Sequence, residues 1–60
     1  MELVYDKIVR DKEHEGAILF EFADEQKWIP RSLCEVDESK GVVDVSSWFV
    51  EKEELEGYAL

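Results

Sequence analysis

The chain has 60 residues and a formal net charge of −9, with 16 Asp and Glu residues against 7 Lys and Arg. A chain of this length is expected to form one small domain, over residues 1–60, which buries only about 60% of the surface that it exposes when unfolded. The negative charge argues against direct binding to nucleic acid or to an anionic membrane, because both require a basic face.

The cysteine content and the lengths of the apolar runs indicate the cellular compartment of the protein. The one cysteine, Cys34, cannot form an internal disulfide, and the N-terminus shows no charged-then-apolar leader for secretion. The apolar runs are far shorter than the ~20 residues that cross a bilayer. We therefore expect a soluble cytoplasmic protein with no membrane association, either a monomer or a homodimer that shares its core.

The first part of the chain predicts two strands joined by a charged turn. Residues 3–9 have a mixed extended pattern, and the charged residues 10–16 end in a glycine that we expect to close a hairpin. Residues 17–22 show the clearest alternation of β-branched and aromatic residues. The core face of this second strand is expected to carry Ile18, Phe20 and Phe22.

A third predicted strand is centred on Trp28 and ends at Pro30, the one proline of the sequence. Proline cannot donate a ladder hydrogen bond and favours extended geometry in the residue before it, so Pro30 is expected at a strand end or a sheet edge. The polar residues 23–26 are short enough for a hairpin, which makes strands two and three antiparallel neighbours. We expect Trp28 to be the largest side chain in the core.

Residues 48–55 are expected to form a short C-terminal helix, capped by Ser46 or Ser47 and stopped by Gly57. A helix of about ten residues is marginal alone and must dock on the sheet. Trp48 and Leu55 lie seven apart, on one face of the predicted helix, and would make that contact.

Between the third strand and the helix, residues 32–37 and 42–45 alternate and are joined by a turn-like segment, which predicts another hairpin. The elements together predict an α+β fold of four or five short antiparallel strands in a small barrel-like sheet, with one C-terminal helix. The predicted core is Ile18, Phe20, Phe22, Trp28, Val36, Val43, Val45 and Trp48.

Two motifs resemble a group of small uncharacterised proteins that are common in bacteriophage and prophage genomes. Residues 28–32, Trp-Ile-Pro-Arg-Ser, are similar to the group's Trp-Leu/Ile-Pro-Lys/Arg-Ser. Residues 45–52, Val-Ser-Ser-Trp-Phe-Val-Glu-Lys, with Leu55 beyond them, are similar to its Val-Pro-Glu-Trp-Leu-Ala-Glu-Lys with a following leucine. The likeness covers residues 16–55, and it departs at the serine pair, where the group has Pro-Glu, and at Glu54, where a glycine is usual.

This resemblance implies a phage origin, and therefore the cytoplasm of a bacterial host cell as the compartment. It also implies a small strand-rich domain, but it brings no known activity and no functional residues. Some phage proteins of this size and acidity are anti-CRISPR inhibitors, which raises that function for this chain.

The sequence contains no recognisable reaction centre. His14 is the one histidine and has no cysteine or second histidine at ligand spacing, so we expect no metal site. Cys34 lies on an apolar strand face and is best explained as a small buried hydrophobe, because reactive thiols need nearby positive charge. We expect no enzymatic activity and no cofactor.

The positions of the acidic residues are the remaining signal. Two pairs of acids are spaced two residues apart, namely Glu13 with Glu15 and Glu35 with Asp37. In an extended chain, the two members of each pair would project from the same face about 6.6 Å apart. Glutamates at the C-terminal end of the predicted helix oppose the macrodipole, at about 0.3–1 kcal/mol each. The expected partner-binding residues are Glu35, Asp37, Glu51, Glu53, Glu54 and Glu56, with Asp24 and Glu25 as a second patch.

Two functions remain open. The first is an anti-defence inhibitor whose acidic residues occupy a basic nucleic-acid-binding surface of a host complex, such as a CRISPR effector. The second is a small structural or adaptor module that docks a protein through exposed aromatics such as Tyr5, Phe49 or Tyr58. An acidic surface that only keeps the protein soluble would also explain the net charge. Binding led by charge weakens with ionic strength, which distinguishes the first function from the second.

Overall fold

The structure of the protein is a computed structural model that describes the backbone of residues 1–60 and every side chain except that of Glu13. Over this backbone the chain forms six short strands and one short α-helix, with three 3₁₀ turns. The strands are β1 (Glu2–Val4), β2 (Lys7–Lys12), β3 (Ala17–Glu21), β4 (Gln26–Pro30), β5 (Cys34–Asp37) and β6 (Val42–Val45). The helix α1 is Ser47–Lys52, and the 3₁₀ turns are Glu13–Glu15, Arg31–Leu33 and Glu56–Tyr58.

The strands form two separate antiparallel sheets of three strands each. The order is β1-β6-β5 in the first sheet and β2-β3-β4 in the second. This arrangement agrees with an α+β fold in outline, but the predicted barrel-like closure is wrong, because the two sheets are not joined into a barrel. There are also six strands along the described backbone, more than the predicted four or five.

The extra strand arises because the predicted first strand, residues 3–9, divides between the two sheets. The Tyr5 amide donates a hydrogen bond to the carbonyl of Gly41 at 3.3 Å, next to the first sheet. The amide of the next residue, Asp6, donates to the carbonyl of Glu21 at 2.7 Å, in the second sheet. The backbone therefore changes sheets within two residues, which the mixed pattern of this segment does not reveal.

All three predicted hairpins are present. β3 pairs antiparallel with β2 and with β4, and β5 pairs antiparallel with β6. Gly16 and Gly41, which precede β3 and β6, have φ angles of +67° and +66°. Glycine reaches this region without the steric cost that a Cβ atom would impose, so these turns depend on it.

The core lies between the sheets and the C-terminal segment. Five of the eight predicted core residues are buried, namely Ile18, Phe20, Phe22, Val43 and Val45, and Leu55 is also buried as expected. Val36 is half-buried and packs against this cluster. The further buried members of the cluster are Leu3, Tyr5, Ile29, Phe49 and Val50.

The prediction that both tryptophans lie in the core is wrong. Trp28 is 39% exposed, and its neighbour Ile29 is fully buried in its place. The register explains this choice, because Ile29 lies opposite the core residue Ile18 while Trp28 lies opposite Leu19 on the outer face. Trp48 is 56% exposed. The helix instead turns Phe49 and Val50 inward.

Helix α1 is shorter than predicted and ends at Lys52, not near Gly57. The Leu55 amide donates to the Val50 carbonyl at 2.9 Å, and the Glu54 amide donates to the Glu51 carbonyl at 3.3 Å. Glu54 has a φ of +57°. These bonds and this left-handed residue form a Schellman motif, in which the residue after the C-cap is usually glycine. Glu54 therefore occupies a glycine position.

Replacing Glu54 with glycine is expected to raise the free energy of unfolding by about 0.5–1 kcal/mol. The left-handed conformation costs an L residue about 1–2 kcal/mol, and the larger chain entropy of unfolded glycine offsets part of the gain. Urea denaturation followed by circular dichroism measures the change. The control Glu54→Ala removes the same charge but keeps the strain, so it should gain less than half as much. Equal gains would attribute the effect to charge.

Candidate functional site

The outer face of the first sheet carries three carboxylates in one row. The register places Glu2 opposite Asp44 on β6, and Asp44 opposite Glu35 on β5. Residues that face each other across neighbouring strands have their side chains on the same side, with strands about 4.8 Å apart. Like charges in these positions destabilise a sheet. The row therefore concentrates negative charge at a cost to folding.

A second row beside it extends the negative charge. Here Val4 lies opposite Val42, and Val42 lies opposite Asp37. Glu38 follows Asp37 in the turn, and the carboxylates of both rows line one shallow groove of about 580 Å³. We call this surface the acidic sheet face, and it consists of Glu2, Glu35, Asp37, Glu38 and Asp44.

Local contacts stabilise two of these carboxylates. The Met1 amino group lies 3.0 Å from an Asp44 carboxylate oxygen. The Ser39 hydroxyl donates to Asp37 Oδ1 at 2.6 Å. That hydrogen bond, with smaller contributions from nearby amides and from Lys40, lowers the pKa of Asp37 below its usual value. A lowered pKa keeps the carboxylate charged to lower pH, so this part of the face stays negative under mildly acidic conditions.

A second group of acids surrounds Lys27. Its ammonium group lies 3.3 Å from Glu53 Oε1 and 3.7 Å from Glu25 Oε1. The Tyr58 hydroxyl donates to Glu25 Oε2 at 3.1 Å, and the Tyr58 ring stacks on Phe22 with centroids 4.7 Å apart. These contacts hold the C-terminal segment against the turn between β3 and β4. Glu25 and Glu53 are therefore partly neutralised and have a structural role.

The eight predicted contact residues thus divide into two groups. Glu35 and Asp37 lie on the acidic sheet face, while Glu53 of the C-terminal segment and Glu25 of the β3–β4 turn meet at Lys27. The C-terminal and turn residues with exposed side chains are Asp24, Glu25, Glu51, Glu54 and Glu56. Sequence reasoning missed Glu2 and Asp44 because their grouping depends on the pairing of β1, β5 and β6. It also missed Glu38, which the sequence places beside Asp37.

The other predicted carboxylate pair is not in an extended chain. Glu13 and Glu15 belong to a 3₁₀ turn, and the side chain of Glu13 lies outside the described residues. Glu15 lies 3.4 Å from the Lys12 ammonium group. This pair therefore does not form the expected row of charge.

Cys34 is half-buried against the core. Burial raises the pKa of the Cys34 thiol, and the nearby Arg31 opposes that shift only in part. A raised pKa keeps the thiol protonated at neutral pH, and the thiolate is the reactive form. Among the side chains that the structure describes, no group of three His, Cys, Asp or Glu residues could hold a metal ion. No helix in the described part of the chain is long and apolar enough to span a membrane.

Comparisons with protein-family models, with curated proteins and with solved structures find no match to this chain. The resemblance to the phage group remains a prediction from the two motifs. The acidic sheet face and the exposed aromatic residues are the features that bear on function.

Glu35→Gln is expected to stabilise the folded protein by about 0.2–1 kcal/mol at low salt, because it removes one charge from the repulsive row. The gain should shrink at high salt, because salt already screens the repulsion in the wild type that the substitution removes. Thermal or urea unfolding at two salt concentrations measures both effects. Glu56→Gln is the control, since Glu56 is an exposed glutamate outside the row. Equal gains in the two variants would show that the row itself has no repulsive cost.

Proposed function

We propose that the protein binds a basic surface of a nucleic-acid-handling protein and competes there with DNA or RNA. The observation that carries the proposal is the row of Glu2, Asp44 and Glu35 across the first sheet. A sheet that needed only solubility could scatter these charges, whereas their alignment costs stability. A partner with Lys and Arg side chains at the same positions would offset the repulsion on binding.

The dimensions of the acidic sheet face suit such a partner. Its charges are about 4.8 Å apart across the strands and about 6.6–6.8 Å apart along them. Duplex DNA carries one negative charge per about 1.7 Å of its axis. A protein surface that binds its phosphates therefore carries closely spaced cations, which closely spaced carboxylates can occupy. Side chains of Lys and Arg are long enough to adapt to either spacing.

The motifs shared with phage proteins favour a host defence complex, such as a CRISPR effector, as the partner. In this proposal the protein acts as an anti-defence inhibitor by occupancy, without catalysis. The half-buried thiol and the distributed carboxylates fit this mode of action, since neither supplies an activated nucleophile.

The test begins with capture of partners from a nuclease-treated bacterial lysate on the immobilised protein. The proposal expects capture at low salt, loss at high salt and displacement by added duplex DNA or by structured RNA. A captured protein that stays bound in high salt and is not displaced by nucleic acid would contradict the proposal.

A second candidate function is the adaptor module, and one observation favours it. Trp48 on helix α1 is 56% exposed and packs edge-on against Phe49, with ring centroids 5.9 Å apart. The aromatic residues suggested by the sequence are not exposed docking contacts, because Tyr5 and Phe49 are buried and Tyr58 is half-buried. Binding that is insensitive to salt and lost in Trp48→Ala would favour the adaptor.

A further inference from the structure

The outer face of the second sheet carries a line of cations that strand alternation alone would not produce. Regular alternation along β2 would put Lys7 on the same face as Val9 and Asp11. A β-bulge between Ile8 and Arg10 shifts the phase. Lys7, Arg10 and Lys12 then lie opposite Glu21, Leu19 and Ala17, which are alternate residues of β3. The bulge therefore gathers three cations on one face, in a protein with a net charge of −9.

An exposed aromatic ring lies on the same face. Trp28 on β4 is opposite Leu19, which is itself opposite Arg10. The Lys12 ammonium group lies 5.4 Å from the centroid of the Trp28 ring. We call this surface the basic-aromatic face, and it consists of Lys7, Arg10, Lys12, Leu19 and Trp28.

The charge of this face is positive although the molecule is acidic. Two acidic residues offset part of the charge: Glu21 lies opposite Lys7, and Glu15 lies 3.4 Å from the Lys12 ammonium group. The three cations still exceed them. Among the described side chains, neither Lys7 nor Arg10 takes part in an ion pair. At physiological salt the screening length is about 8 Å, so charges on the first sheet act only weakly here. The expectation that the protein does not contact nucleic acid rests on net charge and takes no account of this face.

We propose that the basic-aromatic face binds single-stranded nucleic acid. Successive cations along β2 are about 6.8 Å apart, in a line that a sugar-phosphate backbone can follow. Trp28 lies two strands away, at about 9.6 Å, so a base attached to a phosphate on β2 can reach across Leu19 to the indole. A line of cations beside an aromatic platform is the arrangement that binds single strands without sequence preference.

The exposed indole favours a nucleic acid over an acidic peptide. Carboxylates could pair with the three cations, but a peptide of Asp and Glu has no flat ring to stack on Trp28. A duplex is also disfavoured, because its bases are stacked inside and cannot reach the indole. On binding, the Lys12 ammonium group exchanges its contacts with Glu15 and with the Trp28 ring for a phosphate, which frees the ring for a base.

The test uses a labelled oligothymidine of about 10 nucleotides, within the site sizes of small single-strand binders. Fluorescence anisotropy measures binding, and tryptophan fluorescence reports stacking. Three phosphate contacts predict a slope of about −2 for log K against log salt, and K7Q/R10Q should reduce that slope by about 1.4. Trp28→Ala should weaken binding about tenfold and remove most of the quenching.

Trp48→Ala is the matched control, because Trp48 is the other exposed tryptophan and lies on helix α1, not on a strand of the second sheet. It should keep both affinity and quenching. Circular dichroism of each variant confirms that the fold is retained. No binding by the wild type, equal losses in the two tryptophan variants, or equally tight binding of a polyglutamate of the same length would overturn the proposal.

Discussion

Phe20→Ala is expected to leave the protein largely unfolded. Phe20 is fully buried at the centre of β3, and its ring contacts Tyr5 edge-on with centroids 5.1 Å apart. Truncating a buried phenylalanine to alanine costs about 3–5 kcal/mol. At about 0.05–0.15 kcal/mol per residue, a domain of this size has a total stability of the same order. Circular dichroism with urea denaturation measures the loss.

Trp28→Ala is the control for Phe20→Ala, because it also removes an aromatic ring but from the outer face of the second sheet. Trp28 is 39% exposed, so this variant should stay folded and lose about 1 kcal/mol, mainly from its contact with Lys12. If Trp28→Ala were as destabilising as Phe20→Ala, the tryptophan would belong to the core as its size suggests, and the register of β3 with β4 would be wrong.

Reversing three charges on the acidic sheet face is expected to slow association with the captured partner by about 10- to 1,000-fold. The variant E2K/E35K/E38K places lysines on this face and leaves the supported carboxylates Asp37 and Asp44 unchanged. Its effect should be largest at low salt, where charge steering is strongest. Surface plasmon resonance with the purified partner measures the association rate across a salt series.

The matched control E51K/E54K/E56K changes the net charge by the same amount on the C-terminal segment. It should retain most of the association rate, because these glutamates lie outside the acidic sheet face. Similar losses in both variants would mean that net charge, and no particular face, determines binding. A larger loss in the control would place the contact on the C-terminal glutamates.

The local signals for the hairpins could be read from the sequence. Gly16 and Gly41 take left-handed conformations at two of the predicted turns. The strict alternation around Phe20 correctly identified the buried face of β3. These features depend on residues close together in the chain, which sequence patterns describe well.

The phase of β4 could not be predicted, because both Trp28 and Ile29 are apolar and either could face inward. Pairing with Ile18 selects Ile29. The same limit applies to the helix, where the larger Trp48 is exposed and the adjacent Phe49 is buried. Size is therefore a poor guide to burial when two neighbouring residues are both apolar.

Part of the candidate site was predictable for a similar reason. Glu35 and Asp37 are two apart in one strand, so their shared face follows from alternation. Glu2 and Asp44 are distant in sequence, and they join that face only through the pairing of β1 and β5 with β6. The cations of β2 share a face only because a bulge interrupts that strand. Register and bulges arise from tertiary packing, which single residues do not specify.

Competition with nucleic acid tests the proposed function most directly. The purified partner is mixed with a labelled duplex or structured RNA that it binds, and the K7Q/R10Q variant is titrated in, so that the basic-aromatic face does not bind the probe. We expect the probe to be released in full, and we expect E2K/E35K/E38K in the same background to release little of it. A ternary complex of partner, probe and protein, formed with undiminished affinity, would contradict it.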